Sequence, residues 1–294
     1  YPMSPYSEKL RLAMGLRGIT WSSIQVSPQP PRGMLDQVLG GYRRIPVLQR
    51  GAHFYCDTRL AIEALHDDDP SVTYLDAVDE TLRDWAERDI FFAVFSTISP
   101  IKVLGFLVRQ MGVLGVGRFM RDRSQMMRNA TLKMLTAERA REAVEEFIAH
   151  LGARLSSTPY LSGTAPGYLD LCCCHPLWMA RQIDRRVASA WPFAVSQWMK
   201  RMDALGHGEV LPATWERVHQ AIGNNQSVVA RVVAEPCQPG EHVGVAPSDY
   251  ARDETFGELV SLDKQRIVIS RTLDSGHVIY LHFPRSGFEL RRLQ

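Results

Sequence analysis

The sequence predicts three consecutive regions: α/β over residues 1–68, all-α over 75–222 and a small β-rich appendage over 226–294. Three observations give that order. Helix-like and strand-like stretches alternate as far as residue 66, separated by glycine and proline signals. Apolar residues then recur at helical spacing up to about residue 222. From residue 226 onward short runs rich in Val and Ile return, broken by turns such as Asp274-Ser275-Gly276.

In the first region a helix is expected over about 5–17. Ser4 stands as its N-cap, Pro5 in its first turn and Gly18 just past its end. "ITWSSIQVS" (19–27) reads as a strand, "PQPPRG" (28–33) as a loop, and "GMLDQVLGG" (33–41) as a short helix closed by glycines. "IPVLQRG" and "AHFYCD" read as two short strands around Arg50-Gly51. "DTRLAIEALH" (57–66) reads as a helix capped by Asp57 or Thr58, and "HDDDPSV" (66–72) as a linker.

In the second region Leu82, Trp85, Ala86, Ile90 and Ala93 form one helical stripe. The apolar stretch 90–108 is interrupted by Ser96, Thr97, Ser99, Pro100 and Lys102. It is expected to form two buried helices broken at Pro100 rather than a membrane span. The glycines of "GVLGVG" (112–117) lack dinucleotide-binding spacing and are expected at helix joints. An amphipathic helix over 136–155 is capped by Thr136. The helix after "TPYLSGTAPG" is apolar nearly all round, so burial is expected.

Chemistry is constrained next. An apolar share of 45%, a charged share of 22% and a net charge of +2 point to an ordinary globular chain, with no nucleic-acid or membrane partner expected. The five cysteines, three of them adjacent at 172–174, do not make a disulfide framework. With no basic and apolar leader at the start, a reducing cytoplasmic setting is expected. On a helix, successive side chains diverge by about 100°, so "CCCH" (172–175) does not close a metal site. No metal is expected.

Three stretches together resemble the cytosolic glutathione transferases of the serine type. "SPYSEKLRLAM" resembles the family's active-site helix, and "RRIPVLQRGAHFYCDTRLAIEAL" its glutathione-site signature. "PYLSGTAPGYLDL" resembles the start of the core helix of its second domain. The resemblance covers residues 1–222. It implies a thioredoxin-like N-terminal domain, an all-helical second domain, glutathione as co-substrate, a small apolar electrophile and a homodimer.

The resemblance makes Ser4 the catalytic residue. A free thiol titrates near ~8.5, and a hydroxyl donor at a helix N-terminus favours its thiolate. Ser7 stands where a CxxC helix has its second cysteine, so this helix has no dithiol chemistry. The resemblance also makes Ile45-Pro46 the cis-proline element whose Ile45 backbone pairs with the cysteinyl part of glutathione. Asp57 and Thr58 are assigned to the γ-glutamyl ammonium and carboxylate. Arg32 is assigned to the glycyl carboxylate. On residue type alone Ser4 and Asp57 are equally plain N-caps, and Arg32 a solvated arginine.

The family has a central strand before its active-site helix, where this sequence has Tyr1-Pro2-Met3. Either the natural chain starts upstream or the sheet is unusual. The hydroxyl N-cap of the second-domain core helix is replaced by Gly167, with Asp170 expected to support the helix start. Cys56 reads as a buried strand cysteine. In the appendage His277 and His282 point to opposite faces and share no metal. Residues 226–294 are expected to pack on the helical region away from the glutathione site, as a candidate surface for a protein partner. A non-catalytic glutathione-fold ligand carrier or interaction protein is the alternative reading.

Overall fold

The computed structural model describes residues 1–66, 79–132, 134–224, 234 and 237–293. The expected linker at 67–72 and most of "SVVARVVAEP" (227–236) lie outside the described residues.

The first region forms α1 (Pro5–Leu16), β1 (Thr20–Ser23), α2 (Met34–Leu39), β2 (Leu48–Arg50), β3 (His53–Tyr55) and α3 (Thr58–Ala64). Its helices start where side-chain oxygens satisfy first-turn N–H groups. Ser4 Oγ accepts from Ser7 N at 3.2 Å, and Asp57 Oδ1 from Arg59 N at 2.7 Å. Ile45–Pro46 is cis, as the resemblance implies, and so is Pro30–Pro31, which the sequence reading did not anticipate.

The second region holds α4 (Glu80–Asp84), a π-helical turn (Trp85–Ile90), α5 (Phe91–Ser96), α6 (Pro100–Met127), α7 (Ala137–Leu155), α8 (Tyr168–Ile183), a 3₁₀ turn (Arg185–Ala190), α9 (Phe193–Ala204), β4 (Glu209–Pro212) and α10 (Trp215–Asn224). Helix α8 is buried on all sides through Ala180. Its start is held by Asp170, which accepts from Leu161 N, Ser162 N, Gly167 N and Trp198 Nε1 at 2.8–3.1 Å. Gly167 supplies no side chain, so the carboxylate supplies the hydrogen bonds that a hydroxyl cap would share.

Two expectations for this region are corrected. Pro100 does break the apolar stretch, but α6 is not a buried helix. Only Phe106, Val116, Asp122 and Met126 of its 28 residues are buried. Gly112 sits in α6 at φ 70°, ψ 168°, a break in helical geometry that glycine adopts without a Cβ clash. The region is also not purely helical, since β4 returns to pair in parallel with β1, Thr20 opposite Glu209.

The last region forms β5 (His242–Pro247), β6 (Thr255–Leu262), β7 (Arg266–Thr272), β8 (Val278–Pro284) and β9 (Phe288–Arg292). It is β-rich as expected, but it packs chiefly on the first region and meets the helical one at α10, Met126 and Thr131. The seven strands run β2-β3-β8-β7-β6-β5-β9 in one sheet. The cause is an open edge. Strand β3 has a side unpaired by β2, and β8 fills it in parallel, with Phe54 opposite Leu281. The chain comes equally close at Gly41, where a Cβ would lie 1.9 Å from Glu254 O. Leu39, Phe54, Cys56, Val243, Ile267, Ile279, Leu281 and Phe283 therefore share one core. Helices α1 and α3 belong to a second core with α7, α8 and α9. The first region is thus gripped from two sides, its helices by the bundle and its hairpin by the C-terminal strands.

Candidate active site

The faces of α1, α3 and the π-turn meet where both cores leave a gap. This gap is a cavity of about 1050 Å³. Ser4 and Pro5 form part of its wall, Ile45 and Pro46 another, and Asp57 and Thr58 a third. Five of the six residues assigned from the sequence therefore converge on one space. Ser4 is 2% exposed. Its oxygen accepts from the backbone, which leaves its proton to donate. Tyr1 lines the same cavity.

Arg32 is the sixth, and its assignment is not supported. It does not line the cavity. Its Nε donates to Asp36 Oδ1 at 2.6 Å, its Nη1 to Arg43 O at 2.8 Å and its Nη2 to Tyr42 O at 3.1 Å. The guanidinium is turned into its own loop and holds that loop together. Arg43, Arg44 and Lys264 supply positive charge to the cavity wall instead.

Behind the wall lies a buried ionic cluster. Lys9 is fully buried and donates to Glu87, to Tyr168 OH at 3.0 Å and to Thr58 Oγ1 at 3.3 Å. Burial raises the carboxyl pKa of Glu87, but Lys9 and His175 together outweigh it and hold it at about 2. Burial likewise works against the Lys9 charge, and the surrounding negative groups keep it above its ordinary value. The pair is ionised. Asp57 differs: burial raises its pKa despite Lys9 and the Arg59 N–H. His175 lies with Nε2 3.7 Å from Glu87 Oε1 and is pushed down by burial. The π-turn aims Glu87 at this cluster; such an extra-residue turn alters the register of the helix it joins.

The connection between β5 and β6 reaches the cavity as well, which corrects the expectation that residues 226–294 stay clear of the site. Asp249 and Tyr250 line it. Arg44 donates to Asp249 and to Tyr250 O, and its guanidinium lies 4.0 Å from the Tyr250 ring centre. Burial disfavours the Arg44 charge, but Tyr250 and Asp249 raise its pKa further than burial lowers it. The opposite wall is apolar: Phe91, Phe92, Phe95, Phe106, Met126 and Met179. Cys172 sits in the cluster beside Lys9 and Tyr168, with burial pushing its thiol up to about 12; the other cysteines stay out of it. Cys56 is buried and burial drives its thiol well up, as it does Cys173 and Cys174.

Residues 1–72 match the family model for the glutathione S-transferase N-terminal domain. These residues form a glutathione S-transferase N-terminal domain. The whole chain has the matching architecture, a thioredoxin-like first region, a helical middle and β-rich strands at the end. It is similar to a GST-like protein from Pseudomonas syringae at 25% identity, over 100% of this chain and 98% of that one, with a TM-score of 0.78. The C-terminal strands are thus included in a shared full-length fold. Glutathione S-transferase 1-6 from Anopheles dirus species B is more distant, at 16% identity over 76% of this chain and 92% of that one, TM-score 0.44. Gtt2 from Saccharomyces cerevisiae is 15% identical over 69% of this chain and 93% of that one, TM-score 0.46. No curated protein matches the chain.

Several residues of this GST-like cavity were missed in the sequence. Lys9 sits in the stripe Pro5, Lys9, Leu12, Ala13, all buried, and a lysine at an apolar stripe position is a readable signal. Glu87, Tyr250 and Lys264 carry no such local signal.

Proposed function

We propose that this chain binds glutathione in the 1050 Å³ cavity and activates its thiol for attack on a small apolar electrophile. The observation that carries this reading is the convergence of Ser4, Ile45-Pro46 and Asp57-Thr58 on one cavity with an aromatic and methionine-rich far wall.

In this reading the γ-glutamyl carboxylate takes the Thr58 hydroxyl and the first N–H groups of α3, where the helix dipole favours an anion. Asp57 takes the γ-glutamyl ammonium. A carboxylate disfavoured by burial gains by meeting a cation, which fits the raised pKa of Asp57. The Ile45 backbone pairs with the cysteinyl unit as an added strand. The Ser4 hydroxyl donates to the sulfur. The thiol proton leaves to solvent, the thiolate forms a C–S bond with the electrophile, and the displaced group leaves with its electron pair. Each tenfold rise of the thiol's acidity constant requires about 1.4 kcal/mol of preference for the thiolate. The apolar wall desolvates the electrophile and shapes its binding.

Calorimetric titration with glutathione tests the binding half. Heat that saturates with one site, and is lost in Thr58→Val, supports the reading. Absence of heat in the folded protein favours the alternative, a non-catalytic carrier or interaction protein on the same fold.

A further inference from the structure

Most of the exposed large apolar side chains among the described residues fall in one stretch of the chain. Of the eleven large hydrophobic residues exposed among the described residues, seven lie between positions 101 and 135. Ile101 is 81% exposed, Val113 74% and Leu114 79%. Such a contiguous apolar surface marks an interaction site.

Charge identifies the occupant. Helix α6 carries Lys102, Arg109, Arg118, Arg121 and Arg123 against a single acid, Asp122, on a chain whose net charge is only +2. Lys102 is paired with Asp184, and Arg123 with Asp122. Arg109, Arg118, Arg121 and the following Arg128 are exposed and make no ion pair among the described residues. Leu114, Arg118 and Arg121 follow at i, i+4 and i+7, so apolar and cationic groups share one outward stripe. A second copy of this chain would set these arginines against one another. A span is ruled out by Phe106, Val116 and Met126, which are buried in the fold, and by the pairing of Asp122 with Arg43. Met120 and Met134 are exposed and also line the cavity, so the apolar surface runs into the cavity mouth.

We propose that α6 docks this protein on an anionic lipid surface. Ile101, Leu104, Val113 and Leu114 enter the headgroup–acyl boundary, and the exposed arginines meet lipid phosphates. The two helical segments of α6, before and after Gly112, lie against the surface, with the cavity mouth facing it.

The test is co-sedimentation of the full chain with vesicles of phosphatidylglycerol mixed into phosphatidylcholine, against phosphatidylcholine alone. Binding to the anionic vesicles only, weakened by salt, is expected. Leu114→Asp and the double change Arg118→Glu/Arg121→Glu should each lower apparent affinity by more than about tenfold. Phe193→Asp, an equally exposed site on α9, should leave it unchanged. All these positions are exposed, and retained thermal unfolding checks the fold. No binding overturns the proposal, as does equal binding to neutral vesicles. A dimer that Leu114→Asp converts to monomer, without vesicle binding, overturns it in favour of a second copy.

Discussion

Replacing Lys9 by methionine removes the cation at the centre of the cluster behind the cavity while keeping the side chain's volume. The consequence can be worked from Glu87. Its carboxyl stands at about 2, against an ordinary 4.5, because Lys9, with help from His175, outweighs burial. That difference corresponds to roughly 3 kcal/mol in favour of the charged form, at ~1.4 kcal/mol per tenfold. It agrees with the 3–5 kcal/mol, roughly, that breaking one partner out of a buried pair costs. In the parent chain the depressed pKa gives stability that is fully present above 4.5 and lost as pH falls toward 2. In Lys9→Met burial dominates, so the folded carboxyl lies above its unfolded value. The contribution then reverses: stability falls as pH rises through and beyond 4.5. Urea denaturation across a pH series reads both. The gap between parent and variant should open as pH rises above about 2 and exceed about 3 kcal/mol above pH 4.5. Lys9→Met/Glu87→Gln should recover most of it, since no charge is then left unpaired. A loss of equal size at every pH, or a double variant as weak as the single one, would refute the ionised pair and leave only a packing defect.

Ser4→Ala should cost about 0.5–2 kcal/mol of stability through the lost cap, and turnover in the folded protein should fall about 10²-fold if the hydroxyl is an anion donor. Ser4→Cys should attack glutathione disulfide, forming a protein–glutathione disulfide and releasing one glutathione. Mass spectrometry should detect the adduct in this variant and not in the parent, with Ser7→Cys and Cys56→Ser as controls. Asp170→Asn should cost about 3 kcal/mol by chemical denaturation, because an NH₂ group then faces N–H donors that the carboxylate accepts from in the buried start of α8. A loss below about 1 kcal/mol would mean that those donors find other partners.

What the sequence made legible was local. Ser4-Pro5, Asp57 and Thr136 are readable as caps because the bond each makes lies within three residues of it. Asp170 was readable for the same reason, three residues after a glycine with no hydroxyl to give. The hairpin Leu48–Tyr55 followed from two β-rich runs around Arg50-Gly51. Pairing of β3 with β8 was not legible. It joins residues more than two hundred positions apart, and an open strand edge leaves no mark in composition. Composition also failed for α6. Apolar residues at 100–108 looked like core, but nothing local says whether such a face meets protein or solvent. In the cavity, Ser4, Ile45, Pro46, Asp57 and Thr58 were found through a family pattern. Arg32 was misplaced because its bonds to the carbonyls of Tyr42 and Arg43 depend on the path of an irregular loop. Tyr250 and Lys264 enter from the connections between strands whose packing side was itself unreadable.

The central claim is that the chain binds glutathione with its sulfur at the Ser4 hydroxyl and favours the thiolate. The most direct measurement is the ultraviolet absorbance of the thiolate in the protein–glutathione complex, followed against pH. The parent should show an apparent thiol pKa clearly below the free value of about 8.5, and Ser4→Ala should shift it back toward that value. A bound thiol that titrates as free glutathione does, or a curve that Ser4→Ala leaves unmoved, would contradict the account.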